Sequence, residues 1–269
     1  MPELPEIETL ARELRKKAVG LVLSKCWVRH PEILKHSQSF SPGSFENQTV
    51  MEVERFRKFL YFKMQNGCRL WFHLGMTGQI LWQKNEAIPA RHDHVLFKFQ
   101  NCAEELWFRD IRKFGEVFLT TSEDWQREFV IGPDALEVSE ETFVELFKRR
   151  TGPIKSLLLN QKIIAGLGNI YANESLYRAG IHPKRRPVRL PLKSMQKLHG
   201  TIREVLQEAI GHGGSSIDDY RRPDGQKGSF QKYHRVYGRH GEACFSCGEV
   251  IKKIELSGRS AFYCSQCQK

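Results

Sequence analysis

Four cysteines near the end of the chain have the spacing of a metal site. Cys244 and Cys247 form one Cys-x-x-Cys pair, and Cys264 and Cys267 form a second pair. Two such pairs separated by a short hairpin are typical of structural zinc sites. Four thiolates complete a tetrahedron and leave no position for water, so we predict one structural zinc ion rather than a catalytic one. The alternative interpretation is two redox-active or incidental cysteine pairs.

The N-terminus offers a different kind of chemistry. Pro2 follows Met1, and removal of Met1 would free a secondary amine that is partly neutral at cellular pH. Such an amine can attack a sugar C1′ and form a Schiff base. Glu3 and Glu6 lie within one turn of it, either as proton carriers or as acids that stabilise a helix N-terminus. The hypothesis concerns the processed protein, because a retained Met1 would turn the amine into an unreactive amide.

Cations and large apolar residues recur beside strand-like runs in the first half. Lys58 could be a general acid or a phosphate contact, although a solvated lysine at a sheet edge is commoner. Met76 could be an apolar wedge or a packed core residue. Arg112 and Phe114 are two positions apart, so on an extended segment they point to the same side. That pairing suits an arginine contact to a base with a phenylalanine wedged into the base stack.

Glycines precede a helical run in the second half. Gly166-Leu167-Gly168-Asn169 would leave backbone N–H groups exposed at a helix N-terminus, where a phosphate can bind; a simple turn is the alternative. Asn169 could cap that helix or donate to the phosphate. Gly180 ends the run, and the turn that follows is basic, with Lys184, Arg185 and Arg186.

The periodicity of the chain predicts where these residues lie. Residues 6–18 have helical spacing, and residues 20–120 form short β-rich runs split by turns, which indicates an antiparallel sandwich or barrel. Residues 212–235 are basic and glycine-rich, which favours a mobile loop. Further helices are predicted at 139–149, 153–160, 169–179 and 194–211. We predict domains at 1–130, 140–235 and 236–269, with a linker at 131–139.

Composition narrows the class of partner. Lys and Arg exceed Asp and Glu by 42 − 31 = 11, which favours a polyanionic partner: nucleic acid first, an anionic membrane surface second. A basic soluble enzyme without such a partner is the alternative. No apolar run is long enough for a spanning helix, and the N-terminus lacks the pattern of a signal peptide. We therefore expect a cytoplasmic protein with reduced thiols, in which Cys26, Cys68 and Cys102 are small core residues.

Taken in order, these motifs resemble the bacterial formamidopyrimidine-DNA glycosylase family. The matching segments are MPELPEIET, RKFL, HLGMTGQI, HDH, RKFG, GLGNIYANE, VYGRHGEAC and FYCSQCQK. The resemblance implies an α+β multidomain protein: an N-terminal antiparallel β-sandwich with flanking helices, then a helix–two-turns–helix domain and a four-cysteine zinc finger. It also implies a monomeric base-excision-repair glycosylase with AP lyase activity on double-stranded DNA, associated with the bacterial nucleoid.

The resemblance also implies roles for individual residues. Pro2 would be the Schiff-base nucleophile and Glu3 the proton donor or acceptor. Lys58 would act in β-elimination and Arg259 in δ-elimination, while the 215–230 loop would close over the damaged base. Met76, Arg112 and Phe114 would fill the space left by the flipped base. The residues expected to hold the DNA backbone are His92, Arg150, Lys155 and Asn169.

The implied substrates are oxidised purines, namely 8-oxoguanine and formamidopyrimidines. Leu4 and the Met76 wedge favour this branch over the related endonuclease VIII type, which prefers oxidised pyrimidines. Asp110-Ile111-Arg112-Lys113 departs slightly from the Asp-Pro-Arg-Arg that is common in the family. The loop sequence PDGQKGSF departs as well, which leaves lesion preference more open than catalysis.

Overall fold

The computed structural model describes residues 2–34, 42–84, 89–120 and 129–269. The chain divides into two compact units, Met1–Phe129 with His212–Gln231, and Val130–Gly211 with Lys232–Lys269. The 212–231 segment therefore groups with the first unit, although it follows the long helix of the second in sequence. The domain boundaries given above stay predictions.

The regular elements follow the order expected from the sequence. The helices are α1 Leu4–Ala18, α2 Glu140–Phe147, α3 Ile154–Leu158, α4 Asn169–Ala179 and α5 Leu192–Gly211. The strands are β1 Leu23–Val28, β2 Val50–Phe56, β3 Phe59–Met64, β4 Arg69–His73, β5 Gly78–Lys84, β6 Asp93–Phe99, β7 Glu104–Asp110, β8 Glu116–Thr120, β9 Ile251–Leu256 and β10 Arg259–Cys264. Among the described residues, no helix is long and apolar enough to cross a bilayer.

Helix α1 packs one apolar face against the first unit. Ile7, Leu10 and Leu14 fall at helical spacing, and each is fully or almost fully buried. The helix begins at Leu4, two residues before the predicted start, because Pro5 lies in its first turn, where a missing N–H costs little. This start brings Glu3 to the N-cap position.

Two antiparallel sheets enclose the core of the first unit, in the orders β1-β6-β7-β5 and β2-β3-β4-β8. Buried side chains from both sheets and from α1 form one cluster. Phe72 of β4 meets Phe97 and Phe108 of the other sheet, with ring centroids 5.7 and 6.2 Å apart. The predicted sandwich is therefore confirmed. Cys26 is buried, and Cys68 and Cys102 are partly buried against the same core.

The second unit is helical and ends in the β9–β10 hairpin. Ser139 accepts a hydrogen bond from the Thr142 N–H at 3.2 Å and thereby caps α2. Helix α4 matches its predicted range of 169–179, and Gly180 follows it with φ of 77°, a conformation that glycine adopts without strain. The predicted helix at 194–211 begins earlier, at Leu192.

The 212–231 segment packs against the rest of the first unit, while the mobility predicted for residues 212–235 stays a prediction. Tyr220 is 6% exposed and belongs to the core of the first unit. The Trp82 N–H on edge strand β5 donates to the Pro223 carbonyl at 2.7 Å, and Arg222 pairs with Glu13 at 2.7 Å. A buried aromatic, a sheet edge and an ion pair thus help to hold the segment, and none of them stands out in its composition.

Candidate active site and nucleic-acid interface

The start of the chain is buried and held by a carboxylate. Pro2 is buried and Glu3 is 2% exposed. The Glu6 carboxylate accepts from the Glu3 N–H at 2.7 Å through one oxygen and from the Ser215 N–H at 2.7 Å through the other. Of the two roles considered for Glu6, the structure therefore supports helix stabilisation. The same carboxylate also fastens the 212–231 segment to the start of α1.

Lys58 lies in the β2–β3 turn and is 7% exposed, so it is not the solvated edge lysine that was considered. Arg57 before it has φ of 61°, which tightens the turn. His73 ends the neighbouring strand β4, and its pKa is lowered to about 4, first by burial and then by the positive charge of Lys58. The imidazole beside this lysine is therefore neutral at cellular pH.

Three residues of the first unit form a surface cluster, which we call the wedge: Met76, which is half-buried, and Arg112 and Phe114, which are exposed. The Arg112 guanidinium carbon lies 4.7 Å from the centroid of the Phe114 ring, and an Arg112 nitrogen lies 3.9 Å from the Met76 sulfur. Phe114 remains 50% exposed. The sequence predicted that Arg112 and Phe114 point to the same side of their segment. In the structure, the Arg112 guanidinium lies over the Phe114 ring, which agrees with that prediction.

Asp110, which is not among the residues predicted from the sequence, positions the wedge. It is fully buried, and its carboxylate accepts from the Gly115 N–H at 2.7 Å, from the Arg112 N–H at 3.1 Å and from the Thr77 hydroxyl. It thus joins both loops that carry the wedge residues. A buried charge needs such partners, and only its place beside Arg112 in the sequence could have indicated it.

Gly75 and His92 complete this region. A Cβ at Gly75 would lie 2.5 Å from the Phe114 carbonyl oxygen, and φ there is 56°, so only glycine allows the two loops to approach. His92 is half-buried, and its carbonyl accepts from the Asp110 N–H at 3.0 Å.

In the second unit, the glycine turn before α4 is held by Gln161. Its side chain accepts from the Gly166 N–H at 3.0 Å and donates to the Leu167 carbonyl at 2.8 Å. Gly168 is the N-cap, so the suggestion that Asn169 caps the helix is wrong. The Asn169 side-chain oxygen instead accepts from Lys155 at 2.6 Å.

Lys155 is fully buried, which a residue that directly grips phosphate would not be. Its ammonium donates to Asn169 and to the Ser260 carbonyl at 2.8 Å. It therefore ties α4 to the β9–β10 hairpin within the second unit. Arg150 and Arg259 are exposed, as residues that meet a polyanion would be. Arg259 follows the Ser257-Gly258 turn, in which both residues have positive φ.

The four predicted cysteine ligands converge. All four sulfur atoms lie within 4.8 Å of one another, with separations of 3.4 Å between Cys247 and Cys264 and 3.9 Å between Cys244 and Cys267. Tetrahedral zinc with Zn–S bonds of about 2.3 Å requires sulfurs about 3.8 Å apart. The donor set and its spacing thus fit one structural zinc ion.

Glu174 positions the segment that leads into this zinc module. It is fully buried and accepts from the N–H groups of Arg235, Val236 and Tyr237 at 2.8, 3.0 and 2.8 Å. Burial raises its pKa. Asn173 beside it accepts from the Phe262 N–H at 2.8 Å and fixes strand β10.

Family models match almost the whole chain. Residues 1–117 match the formamidopyrimidine-DNA glycosylase N-terminal domain, residues 131–221 match its H2TH domain, and residues 241–269 match the zinc finger found in FPG and IleRS. A sandwich, an H2TH domain and a zinc finger in this order define a class of DNA glycosylases. The chain belongs to the formamidopyrimidine-DNA glycosylase family.

Individual relatives agree over their full length. The formamidopyrimidine-DNA glycosylase of Roseobacter denitrificans is 39% identical and that of Solibacter usitatus 40% identical, each covering 100% of both chains. Among solved structures, a Lactococcus lactis Fpg mutant with Fapy-dG-containing DNA has a TM-score of 0.93 at 36% identity and covers 100% of both chains. The Lactococcus lactis Fpg complex with abasic-site DNA has the same score and identity, with 99% of both chains covered.

Zinc content and DNA binding should change together. We expect one zinc ion per chain. A chelator or Cys264→Ser should remove the ion and abolish DNA binding, because the hairpin then loses the metal–ligand bonds that hold it folded. Metal analysis and fluorescence anisotropy measure the two quantities. Cys102→Ser is the matched control and should change neither. Retained DNA binding by the metal-free protein would contradict the prediction.

The pH dependence of stability should report His73. Because its pKa is about 4 in the folded protein and 6.5 when unfolded, the unfolded state binds more protons between these values. The free energy of unfolding should therefore fall as pH drops from 6.5 towards 4, by at most about 3 kcal/mol from this group. Denaturant unfolding of His73→Phe should show a smaller loss over this range. The variant His240→Phe, at an exposed position, is the control. If the free energy of unfolding falls equally with pH in both variants, His73 is not the group responsible.

Proposed function

We propose that the chain excises oxidised purines from duplex DNA and then cleaves the strand, as a bifunctional glycosylase and AP lyase. One observation carries the proposal. Pro2, the residue whose freed nitrogen could attack C1′, is buried directly before Glu3 at the start of α1. The Lactococcus lactis relatives were solved with Fapy-dG-containing and abasic-site DNA, which supports the same substrate class here.

The reaction needs one nucleophile for two bond cleavages. The Pro2 nitrogen attacks C1′, the glycosidic bond breaks, and the base leaves with a proton. The Pro2 nitrogen then loses its own proton and the C1′–O4′ bond breaks while Glu3 delivers a proton to O4′, so the sugar ring opens. Since the proline amine is secondary, the adduct is a cationic iminium, which acidifies the C2′ hydrogen. Loss of that proton expels the 3′ phosphate, and a second elimination expels the 5′ phosphate. Lys58 acts in the first elimination and Arg259 in the second.

Base extrusion depends on the wedge. A base in a duplex is out of reach of the nucleophile, so the nucleotide is flipped out at a cost of a few kcal/mol. Phe114 and Met76 then occupy the vacated stack, and Arg112 faces the orphaned base. The stacking of Arg112 on Phe114 before DNA arrives supports this role, because the cluster needs no rearrangement.

The DNA backbone is held mainly by the second unit. Arg150 meets phosphate directly, and Asn169 donates through its amide nitrogen, because its oxygen is occupied by Lys155. Lys155 therefore acts by orienting Asn169, which revises the direct contact expected from the sequence. His92 in the first unit adds a further backbone contact.

Lesion range and setting are parts of the same proposal. We infer a preference for oxidised purines, although a Lactococcus lactis relative was also solved with DNA containing an oxidised pyrimidine. The protein acts as a monomer on DNA in the cytoplasm, in association with the nucleoid. A panel of lesions, each opposite all four bases, measures the preference.

Borohydride trapping tests the nucleophile. With lesion-containing duplex, the processed protein should give a covalent adduct, and Pro2→Gly should reduce adduct formation at least about tenfold by replacing the secondary amine. A variant with one uncleavable residue before Pro2 should give no adduct, because its nitrogen is an amide. Lys16→Gln is the control. An adduct of normal yield from the extended variant would exclude Pro2, and no adduct on any oxidised or abasic duplex would exclude the enzyme.

The wedge should affect excision more than later steps. Asp110→Ala and Phe114→Ala should slow base release from an oxidised duplex by about 10-fold or more, since a misplaced wedge leaves part of the unstacking cost of a few kcal/mol uncompensated. Both variants should cleave a preformed abasic site at near-normal rates. Ile111→Ala on the same exposed loop is the matched control. Single-turnover rates measure both steps, and an equal loss on both substrates would contradict the wedge role.

A further inference from the structure

A group of basic residues lies on the surface of the helical unit. Only one of them, Arg150, has been given a role above. It is formed by two segments, 148–150 and 184–193, and we call it the basic ridge. Its eight cationic residues are all exposed: Lys148, Arg149, Arg150, Lys184, Arg185, Arg186, Arg189 and Lys193. The 184–193 segment holds five of them and no acidic residue.

The two segments form one surface because their backbones are bonded to each other and to α3. The Val188 N–H donates to the Arg150 carbonyl at 3.2 Å, and the Ile154 N–H donates to the Arg185 carbonyl at 2.7 Å. A short 3-10 helix at Pro187–Arg189 fixes the middle of the second segment. The cationic side chains therefore extend from an ordered backbone.

The charge of the ridge is almost unopposed. Within the part of the chain that the structure describes, Lys148 with Glu145 is its one ion pair. The pKa of neighbouring His182 is lowered, first by burial and then by the charges of Lys184 and Arg185. A surface that carries this much uncompensated positive charge repels itself unless a polyanion covers it.

We propose that the basic ridge binds the phosphate backbone of duplex DNA that flanks the lesion. Arg150 belongs both to the ridge and to the proposed DNA contacts, so the ridge continues that interface. Arginine forks suit phosphate oxygens, and the ridge offers five of them. Val188 and Leu192 are exposed beside them, but two apolar side chains among eight cations favour a phosphate backbone over the interior of a bilayer. The inference rests on the proposed function only in taking duplex DNA as the ligand.

Salt-dependent binding to duplexes of two lengths tests the ridge. The short duplex carries a stable abasic analogue and a few flanking pairs; the long one extends it by a helical turn of about 10 base pairs on each side. Each phosphate contact adds about 0.9 to the slope of log affinity against log salt. Replacing Arg185, Arg186 and Arg189 with Gln should therefore lower the slope on the long duplex by about 2.7. The slope on the short duplex should not change.

Two controls make the result specific. Replacement of the same arginines by Lys should restore most of the slope, which separates charge from folding. Replacement of Lys16, Lys25 and Lys84 by Gln removes equal charge from exposed positions in the other unit and should leave the slope unchanged. An equal loss in this control, or an unchanged slope in the arginine variant, would overturn the inference.

Binding to lipid vesicles tests the alternative that the basic ridge binds a membrane. Binding to phosphatidylglycerol vesicles that the arginine variant loses, with unchanged DNA slopes, would assign the ridge to a membrane and overturn the proposal. Cleavage of a short lesion duplex by the unaltered protein tests the proposed function separately. The salt slopes measure DNA binding and require no catalysis. Failure of the ridge proposal can therefore be distinguished from failure of the proposed enzymatic function.

Discussion

The Glu6 carboxylate holds the N-terminal residues of the chain in a defined position. Terminal residues usually fray, yet an N-terminal nucleophile must be held within a fraction of an ångström of its target. Glu6 solves this by accepting from the Glu3 N–H and from the Ser215 N–H, one with each oxygen. A single buried group therefore joins the start of α1 to the 212–231 segment, which Tyr220, Arg222 and the edge of β5 also help to hold.

The same device recurs at two further places. Asp110 holds both loops of the wedge, and Glu174 holds three consecutive N–H groups before the zinc module. Taking a carboxylate out of water is costly unless several donors compensate it, and hydrogen bonds to a charged acceptor are stronger than neutral ones. Because each carboxylate needs all its donors, the backbone around it has little freedom. Irregular segments that carry function are thereby held as firmly as regular elements.

The sequence predicted the features that depend on local pattern. Cysteine spacing predicted the zinc ligands, and helical periodicity predicted α4 to the residue. It could not predict that Lys155 is buried, because that depends on Asn169 and Ser260, which are distant in the chain. It also did not indicate how the 212–231 segment packs, because the groups that contact it, among them Glu6, Glu13 and Trp82, are distant in the chain. Asp110 was visible only as a letter in a motif, because two of its three partners are backbone N–H groups that any sequence would supply.

Rigidity is what links these buried carboxylates to the proposed chemistry. Extruding a base costs a few kcal/mol, and any ordering of the wedge on binding would add to that cost. Asp110 orders the loop backbones and Arg112 packs on Phe114 while the cluster is still exposed, so this ordering is completed during folding. Gly75 permits the approach of the two loops that the arrangement requires. In the proposed mechanism, burial of the Asp110 carboxylate thus lowers the cost of the step that exposes the damaged nucleotide.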